Sequence, residues 1–146
     1  MHYRALGQTG LQLSVVSYGA ASLGNEYGNL TDEATGIRAL HVALDGGVNF
    51  IDTSPYYGRT LAERVLGKAF KEIRRDRFFL GTKCGRYDVD GFDFTYDRIL
   101  RSVDESLQRM GVDHLDFMQC HDIEFGDLRQ VVDEALPALR KAREQG

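Results

Sequence analysis

Short apolar runs alternate with amphipathic helical segments along this chain, and the alternation limits the fold more than any other feature. A strand-like run followed by a helix recurs about four times, with about 30 to 40 residues in each unit. Parallel strands need such helices, because the chain must cross back over the sheet before the next strand can begin. The pattern therefore predicts an α/β fold built on a parallel sheet.

Turn and capping signals give the expected limits of these elements. Apolar runs on both sides of residues 7–10 favour an N-terminal β-hairpin. Residues 60–63 have the spacing of a capping box, and Pro137 is expected to kink or split the last helix. The predicted strands cover 15–18, 48–51, 78–81 and 115–119, and the predicted helices cover 31–45, 60–70, 95–110 and 128–144.

Two architectures are compatible with repeated strand-helix units. A doubly wound open sheet that binds a dinucleotide carries a G-x-G-x-x-G turn after its first strand, whereas residues 19–24 read GAASLG. A (β/α)8 TIM barrel needs about 250 residues, so four units in 146 residues amount to half of one. We therefore predict one domain over residues 1–146, with a hairpin in 1–14 and four βα units of an N-terminal half barrel in 15–146.

Four polar side chains follow three of the predicted strands closely. Asp52 and Tyr57 come after the second strand, Lys83 after the third and His121 after the fourth. The carboxyl ends of parallel strands meet on one face of a barrel, which is where barrel active sites lie. The spacing therefore predicts that Asp52, Tyr57, Lys83 and His121 share one pocket.

The alternation of side chains along a strand separates this candidate site from the two cysteines. With a period of two, Lys83 and His121 face the barrel interior, while Cys84 and Cys120 face the helices. A metal site built from both cysteines and His121 is therefore disfavoured, and the thiols are expected to be reduced. The remaining histidines are expected to have no role, and Arg109 is expected on a solvated helix face.

The four residue types suit proton transfer at a carbonyl or alcohol group. An ammonium ion beside a phenol favours the phenolate, so Lys83 would tune Tyr57 as the proton donor. The carboxylate of Asp52 would keep a buried Lys83 charged, and His121 would hydrogen-bond the substrate oxygen and orient it. Such a redox change also needs a hydride carrier, and a nicotinamide is inferred because no flavin, haem or metal signal is visible.

Composition excludes several other classes of partner. The net charge is −4 with acidic and basic residues interspersed, so no basic stripe for nucleic acid is present. No apolar stretch approaches the roughly 20 residues that span a bilayer, and the first ten residues lack the apolar run of a signal peptide. The sequence thus predicts a cytoplasmic protein that binds neither nucleic acid nor membrane.

These motifs resemble the aldo-keto reductase superfamily along essentially the whole chain. The strings DTSPYYG, TKCGRY and QCHDIEF place Asp52, Tyr57, Lys83 and His121 where that superfamily has its catalytic tetrad. The longer matches are most similar to its L-galactose dehydrogenase branch, which implies oxidation of an aldose such as L-galactose or L-fucose to a lactone with NAD or NADP. The resemblance also implies that Gly19, Ala20 and Asp52 form the near wall of the nicotinamide site, with most of that site beyond residue 146.

A second hypothesis makes the chain a binding module rather than an enzyme. Half a barrel leaves two sheet edges and apolar helix faces exposed, and such surfaces invite pairing with another copy. On this interpretation the chain is a catalytically inactive, self-associating half barrel. Nicotinamide affinity and oligomeric state distinguish the two hypotheses.

Overall fold

Two sheets organise the residues described by this computed structural model, which are 1–28 and 31–146. The antiparallel hairpin is confirmed, with β1 (Tyr3–Ala5) paired to β2 (Gln12–Ser14). A four-stranded parallel sheet follows in chain order, as predicted. Its strands are β3 (Tyr18–Gly19), β4 (Phe50–Asp52), β5 (Phe79–Cys84) and β6 (Phe117–Cys120).

Helices connect these parallel strands, as the alternation predicts. Strand starts fall one to three residues later than the apolar runs suggest, because residues such as Val48 still belong to the preceding turn. The amide of Val48 donates to the carbonyl of Ala43 at 3.0 Å, near the end of the first helix. The helices are α1 (Glu33–Asp45), α2 (Leu61–Ala69), α3 (Tyr96–Met110), α4 (Leu128–Gln130) and α5 (Leu136–Gln145).

The last predicted helix is divided, and Pro137 lies at the division. A π-helical turn, Val131–Ala135, separates α4 from α5, and Pro137 occupies the first turn of α5. Proline lacks an amide hydrogen and is tolerated only where that hydrogen has no helical partner. The prediction of a kink or split at Pro137 is therefore confirmed.

The predicted capping box at the start of α2 is wrong. Thr60 has φ of 75° and ψ of 0°, and its side chain makes no capping hydrogen bond. Glu63 instead points into the interior, where it is fully buried. Its carboxylate accepts a hydrogen bond from the Thr82 hydroxyl at 2.7 Å and one from Arg109 Nε at 2.6 Å.

This contact also corrects the prediction for Arg109. Its side chain is only 19% exposed, and it links α3 to α2 rather than facing solvent. The two helices approach closely at Gly67, where a Cβ atom would lie 2.3 Å from the carbonyl oxygen of Arg109. Only glycine permits this approach, and it brings the guanidinium within reach of Glu63.

Side chains of the sheet alternate between two environments, as the period of two predicts. Ile51 and Leu80 are fully buried against the helices. On the other face the rings of Phe50 and Phe117 meet edge to face, with centroids 5.2 Å apart. They meet over Gly81, where a Cβ would lie 3.1 Å from the Phe50 ring. This second face lies on the same side as the predicted site.

No helix within the described part of the chain is long and apolar enough to cross a membrane.

Candidate active site

Parallel pairing brings the predicted site residues to the carboxyl edge of the sheet. Asp52 ends β4 and pairs in register with Gly81 of β5, two residues before Lys83. Lys83 pairs with Gln119 of β6, two residues before His121. Two-residue steps keep side chains on one face of a strand, so Asp52, Lys83 and His121 project into one space.

The Lys83 ammonium group lies at the centre of this space. It donates to both carboxylate oxygens of Asp52, at 2.8 and 2.7 Å, and to the carbonyl oxygen of Thr53 at 2.9 Å. The Lys83 side chain is 13% exposed and that of Asp52 is 28% exposed. Burying an ammonium group without a close carboxylate is costly, and Asp52 contacts Lys83 through both of its carboxylate oxygens.

Tyr57 is held between Lys83 and His121. Lys83 Nζ lies 5.1 Å from the centroid of the Tyr57 ring, within cation–π range. The His121 ring meets the same tyrosine edge to face, with centroids 5.7 Å apart and an interplanar angle of 88°. All four residues predicted to share a pocket are therefore neighbours.

The loop that carries Tyr57 is fixed by a close backbone approach. A Cβ on Gly58 would lie 2.4 Å from the Gly24 oxygen, and a Cβ on Gly24 would lie 2.4 Å from the Tyr57 carbonyl carbon. Gly58 has a φ of 61°, which glycine adopts without a steric penalty. The Gly58 amide also donates to Glu26 Oε1 at 3.0 Å. These contacts set the position of the phenol.

His121 is buried and neutral in character. The residue is 8% exposed, and its amide continues the sheet ladder by donating to the Cys84 oxygen at 2.9 Å. Burial lowers the pKa of His121, and the positive charges of Lys83 and Arg86 act in the same direction. Nearby carboxylates, chiefly that of Asp122, oppose this shift. A neutral imidazole can donate one hydrogen bond without releasing a full charge into the site.

Sequence reasoning missed three residues around His121. Ser54 is fully buried, and its Oγ lies 2.9 Å from His121 Nδ1. Asp122 adopts a φ of 48°, which places its Oδ2 3.6 Å from His121 Nε2. Arg86 forms an ion pair with Asp122. Asp122 directly follows His121, and Ser54 lies two residues after Asp52; this nearness in sequence is the signal that could have found them.

Arg86 also covers the tyrosine that neighbours the candidate proton donor. Its guanidinium carbon lies 3.9 Å from the centroid of the Tyr56 ring. The Tyr56 ring in turn meets the His121 ring edge to face, with centroids 5.7 Å apart. Tyr56 is therefore part of the wall around His121, and its cation–π contact is with Arg86 rather than with Lys83.

The two cysteines lie behind the site, on the helix side of the sheet. Cys84 and Cys120 pair in register on β5 and β6, and both are free thiols. Their contact and burial raise the pKa of Cys84, while hydrogen bonding to Cys84 lowers that of Cys120. Within residues 1–28 and 31–146, no group of three or more His, Cys, Asp or Glu side chains could hold a metal ion.

The residues expected beside a nicotinamide lie at the same edge of the sheet. Gly19 ends β3 and pairs in register with Asp52, and Ala20 follows it fully buried. A Cβ on Gly19 would meet no atom within 4 Å. The backbone is therefore open to a neighbouring group at Gly19, beside Asp52.

Known proteins are similar to this chain in sequence and in structure over this region. The Aldo/keto reductase family matches residues 15–146. L-galactose dehydrogenase of Arabidopsis thaliana is 47% identical over 98% of this chain and 45% of its own length. D-threo-aldose 1-dehydrogenase of a Pseudomonas species is 34% identical over 97% of this chain and 50% of its own length.

The fold agrees with this sequence similarity. The aldo-keto reductase AKR11C1 of Bacillus halodurans, solved in its holo form, superposes with a TM-score of 0.85 and 31% identity. The superposition covers 100% of this chain and 47% of that one. The four βα units therefore correspond to half of an aldo-keto reductase TIM barrel, and the chain spans about half the length of the curated relatives it matches. This chain belongs to the aldo/keto reductase family.

Proposed function

We propose that this chain carries the proton-transfer site of an NAD(P)-dependent oxidoreductase that interconverts CH–OH and C=O groups of an aldose. One observation carries the proposal: the Lys83 ammonium binds the Asp52 carboxylate and lies over the Tyr57 ring, and the His121 ring meets the same Tyr57 ring edge to face. Such a cluster combines a phenol, a cation, a counter-charge and a neutral hydrogen-bond donor.

Each residue has a distinct role in this proposal. Tyr57 exchanges a proton with the substrate oxygen, and the nearby Lys83 ammonium stabilises negative charge on the phenol oxygen. Asp52 pairs with the Lys83 ammonium and holds it in place through both carboxylate oxygens. His121 donates a hydrogen bond to the same substrate oxygen and so fixes its direction relative to Tyr57. All of these groups are positioned before substrate binds.

The hydride in this reaction is supplied or accepted by a nicotinamide when one is bound. Gly19, Ala20 and Asp52 would form the near wall of its site, since Gly19 leaves open space beside the Asp52–Lys83 pair. The superposed reductase was solved in a holo form, which supports a bound cofactor in this fold. The proposal covers both NAD and NADP.

A sugar substrate is supported by the charged wall beside His121. Asp122 Oδ2 lies 3.6 Å from His121 Nε2, so a hydroxyl next to the reacting carbon would reach this carboxylate. Arg86 pairs with Asp122 and holds it beside His121. The two relatives described above are named for aldoses. We propose a polyhydroxylated aldose such as L-galactose or L-fucose, oxidised to its lactone.

Steady-state kinetics with L-galactose and L-fucose, each with NAD and with NADP, test the proposal. Tyr57→Phe removes the exchangeable proton and is expected to lower kcat by about 10²–10⁴-fold. Tyr56→Phe is the matched control, because it removes the neighbouring phenol and leaves the ring under Arg86. Turnover that Tyr57→Phe leaves unchanged would contradict the assigned role.

A second candidate function is self-association through the sheet edges. Among the described strands, β3 and β6 each pair with a single neighbour. Beside β6, the apolar side chains Leu100, Val103, Leu107, Met118, Leu136 and Leu139 line a groove between α3 and α5. A dimer by sedimentation velocity, with no nicotinamide binding by fluorescence, would favour this function. A monomer that binds nicotinamide would rule it out.

A further inference from the structure

We propose that Ser54 is a positioning residue that holds His121 in one tautomer, with the proton on Nε2. The tautomer matters because only one nitrogen of a neutral imidazole donates, and which one is set by the partner of the other. The role of this tautomer in catalysis rests on the proposed function. The tautomer itself is inferred from hydrogen bonds alone.

Ser54 lies directly against the nitrogen of His121 that faces away from Asp122. Its Oγ is 2.9 Å from His121 Nδ1, and Ser54 is fully buried. His121 is itself 8% exposed. Solvent therefore does not compete for this contact, and the ring cannot turn without leaving a buried hydroxyl unpaired.

The partners of the Ser54 hydroxyl determine the direction of this hydrogen bond. The amide of Tyr56 donates to Ser54 Oγ at 3.1 Å, which uses one of its lone pairs. The hydroxyl hydrogen then needs an acceptor, and His121 Nδ1 is the acceptor found among the described residues. If Nδ1 carried the proton instead, this buried hydrogen would have no partner, which is costly. Ser54 therefore donates and Nδ1 accepts.

With Nδ1 as an acceptor, the ring proton lies on Nε2. That nitrogen faces the side of the ring near Asp122, whose Oδ2 is 3.6 Å away and too far for a direct hydrogen bond. The Nε2–H group is thus available to a substrate oxygen. In the other tautomer Nε2 would present a lone pair and would repel a carbonyl oxygen.

Nitrogen NMR of the imidazole rings tests this assignment directly. In a ¹⁵N-labelled chain at about pH 8, above the ordinary pKa of histidine, long-range proton–nitrogen correlations distinguish protonated from unprotonated ring nitrogens. His121→Gln identifies the signals of interest by their loss. His114 provides an internal contrast, because its Nδ1 lies 2.7 Å from the Asp113 carboxylate and must carry a proton to bind it.

We expect the Nε2–H form of His121 to exceed the Nδ1–H form by at least about tenfold. In Ser54→Ala the ratio should fall to that of the exposed His2, while Ser54→Thr, which keeps the hydroxyl, should retain the wild-type ratio. Ser102→Ala removes another fully buried serine hydroxyl, on α3, and should leave the ratio unchanged.

A wild-type His121 protonated on Nδ1 would overturn the proposal, as would a ratio that Ser54→Ala leaves unchanged. If neither Ser54 variant folds, the wild-type spectrum alone decides between the two tautomers. The measurement uses no substrate or nicotinamide. Its failure is therefore distinct from a failure of the proposed reaction, which would appear as turnover insensitive to Tyr57→Phe.

Discussion

Arg109→Met should destabilise the protein strongly, although Arg109 lies on a helix that a sequence pattern assigns to solvent. The variant removes the cation from Glu63, which is fully buried and 2.6 Å from Arg109 Nε. A buried carboxylate without its partner typically costs about 3–5 kcal/mol of stability. Since domains are stable by about 5–15 kcal/mol in total, this is a large fraction.

Removing both charges should cost less than removing one. In Glu63→Leu with Arg109→Met no charge of this pair remains, and the added loss comes from the Thr82 hydroxyl, which donates to Glu63 at 2.7 Å. The buried Ser106 hydroxyl, which accepts from Arg109 at 3.1 Å, loses that partner in the single and the double variant alike. An unsatisfied buried hydroxyl costs about 1–3 kcal/mol. The double variant is therefore expected to be more stable than Arg109→Met alone, which additive effects could not produce.

Urea unfolding of the chain measures these free energies. We propose that residues 1–146 are one domain, so a single transition is expected. Arg101→Met, at an exposed position of the same helix, is the matched control and should change stability by less than about 0.5 kcal/mol. Two results would refute the reasoning: a loss of unfolding free energy below about 1 kcal/mol in Arg109→Met, or a double variant that is less stable than Arg109→Met.

Three further predictions concern the site and its supports. Because burial lowers the pKa of His121, only the unfolded chain takes up its proton just below about pH 6.5. The contribution of His121 to the free energy of unfolding is therefore complete above that pH, and it decreases as the pH falls toward the lower pKa of the folded protein. Urea unfolding at several pH values gives the slope of the unfolding free energy against pH. His121→Gln should reduce that slope below about pH 6.5, and an unchanged slope would contradict the prediction. Iodoacetamide should label Cys120 before Cys84, because Cys84 is fully buried and its hydrogen bond lowers the pKa of Cys120; peptide mass spectrometry showing the reverse order would refute this. Gly58→Ala places a Cβ 2.4 Å from a facing backbone oxygen and should cost more stability than Gly7→Ala, which has a φ of 51° but no atom within 4 Å. Equal losses of unfolding free energy in Gly58→Ala and Gly7→Ala would contradict the prediction, because the cost would then come from the positive φ alone and not from the close contact.

Local patterns were sufficient to predict where the candidate site residues lie. Asp52, Lys83 and His121 each follow an apolar run by a number of residues that fixes their face of the sheet. The ladder bears this out, since Asp52 ends β4 and Lys83 lies in β5.

Local patterns failed where a side chain has two plausible partners. The Thr60–Glu63 spacing is that of a capping box, yet Glu63 reaches Thr82 and Arg109 instead. Arg109 also lies 3.5 Å from Glu105 one turn earlier, a pairing that helix spacing alone offers. The choice between these partners depends on how closely α2 approaches α3 at Gly67.

The sequence by itself determined the order of strands and helices and the direction of each strand side chain. Those features follow from periodicity within short segments, which each segment carries independently of the rest. Only the tertiary structure decided that Ser54 faces His121, that Asp122 pairs with Arg86 and that Glu63 is buried. These contacts join segments far apart in the chain, so they depend on backbone approach and packing rather than on any local pattern.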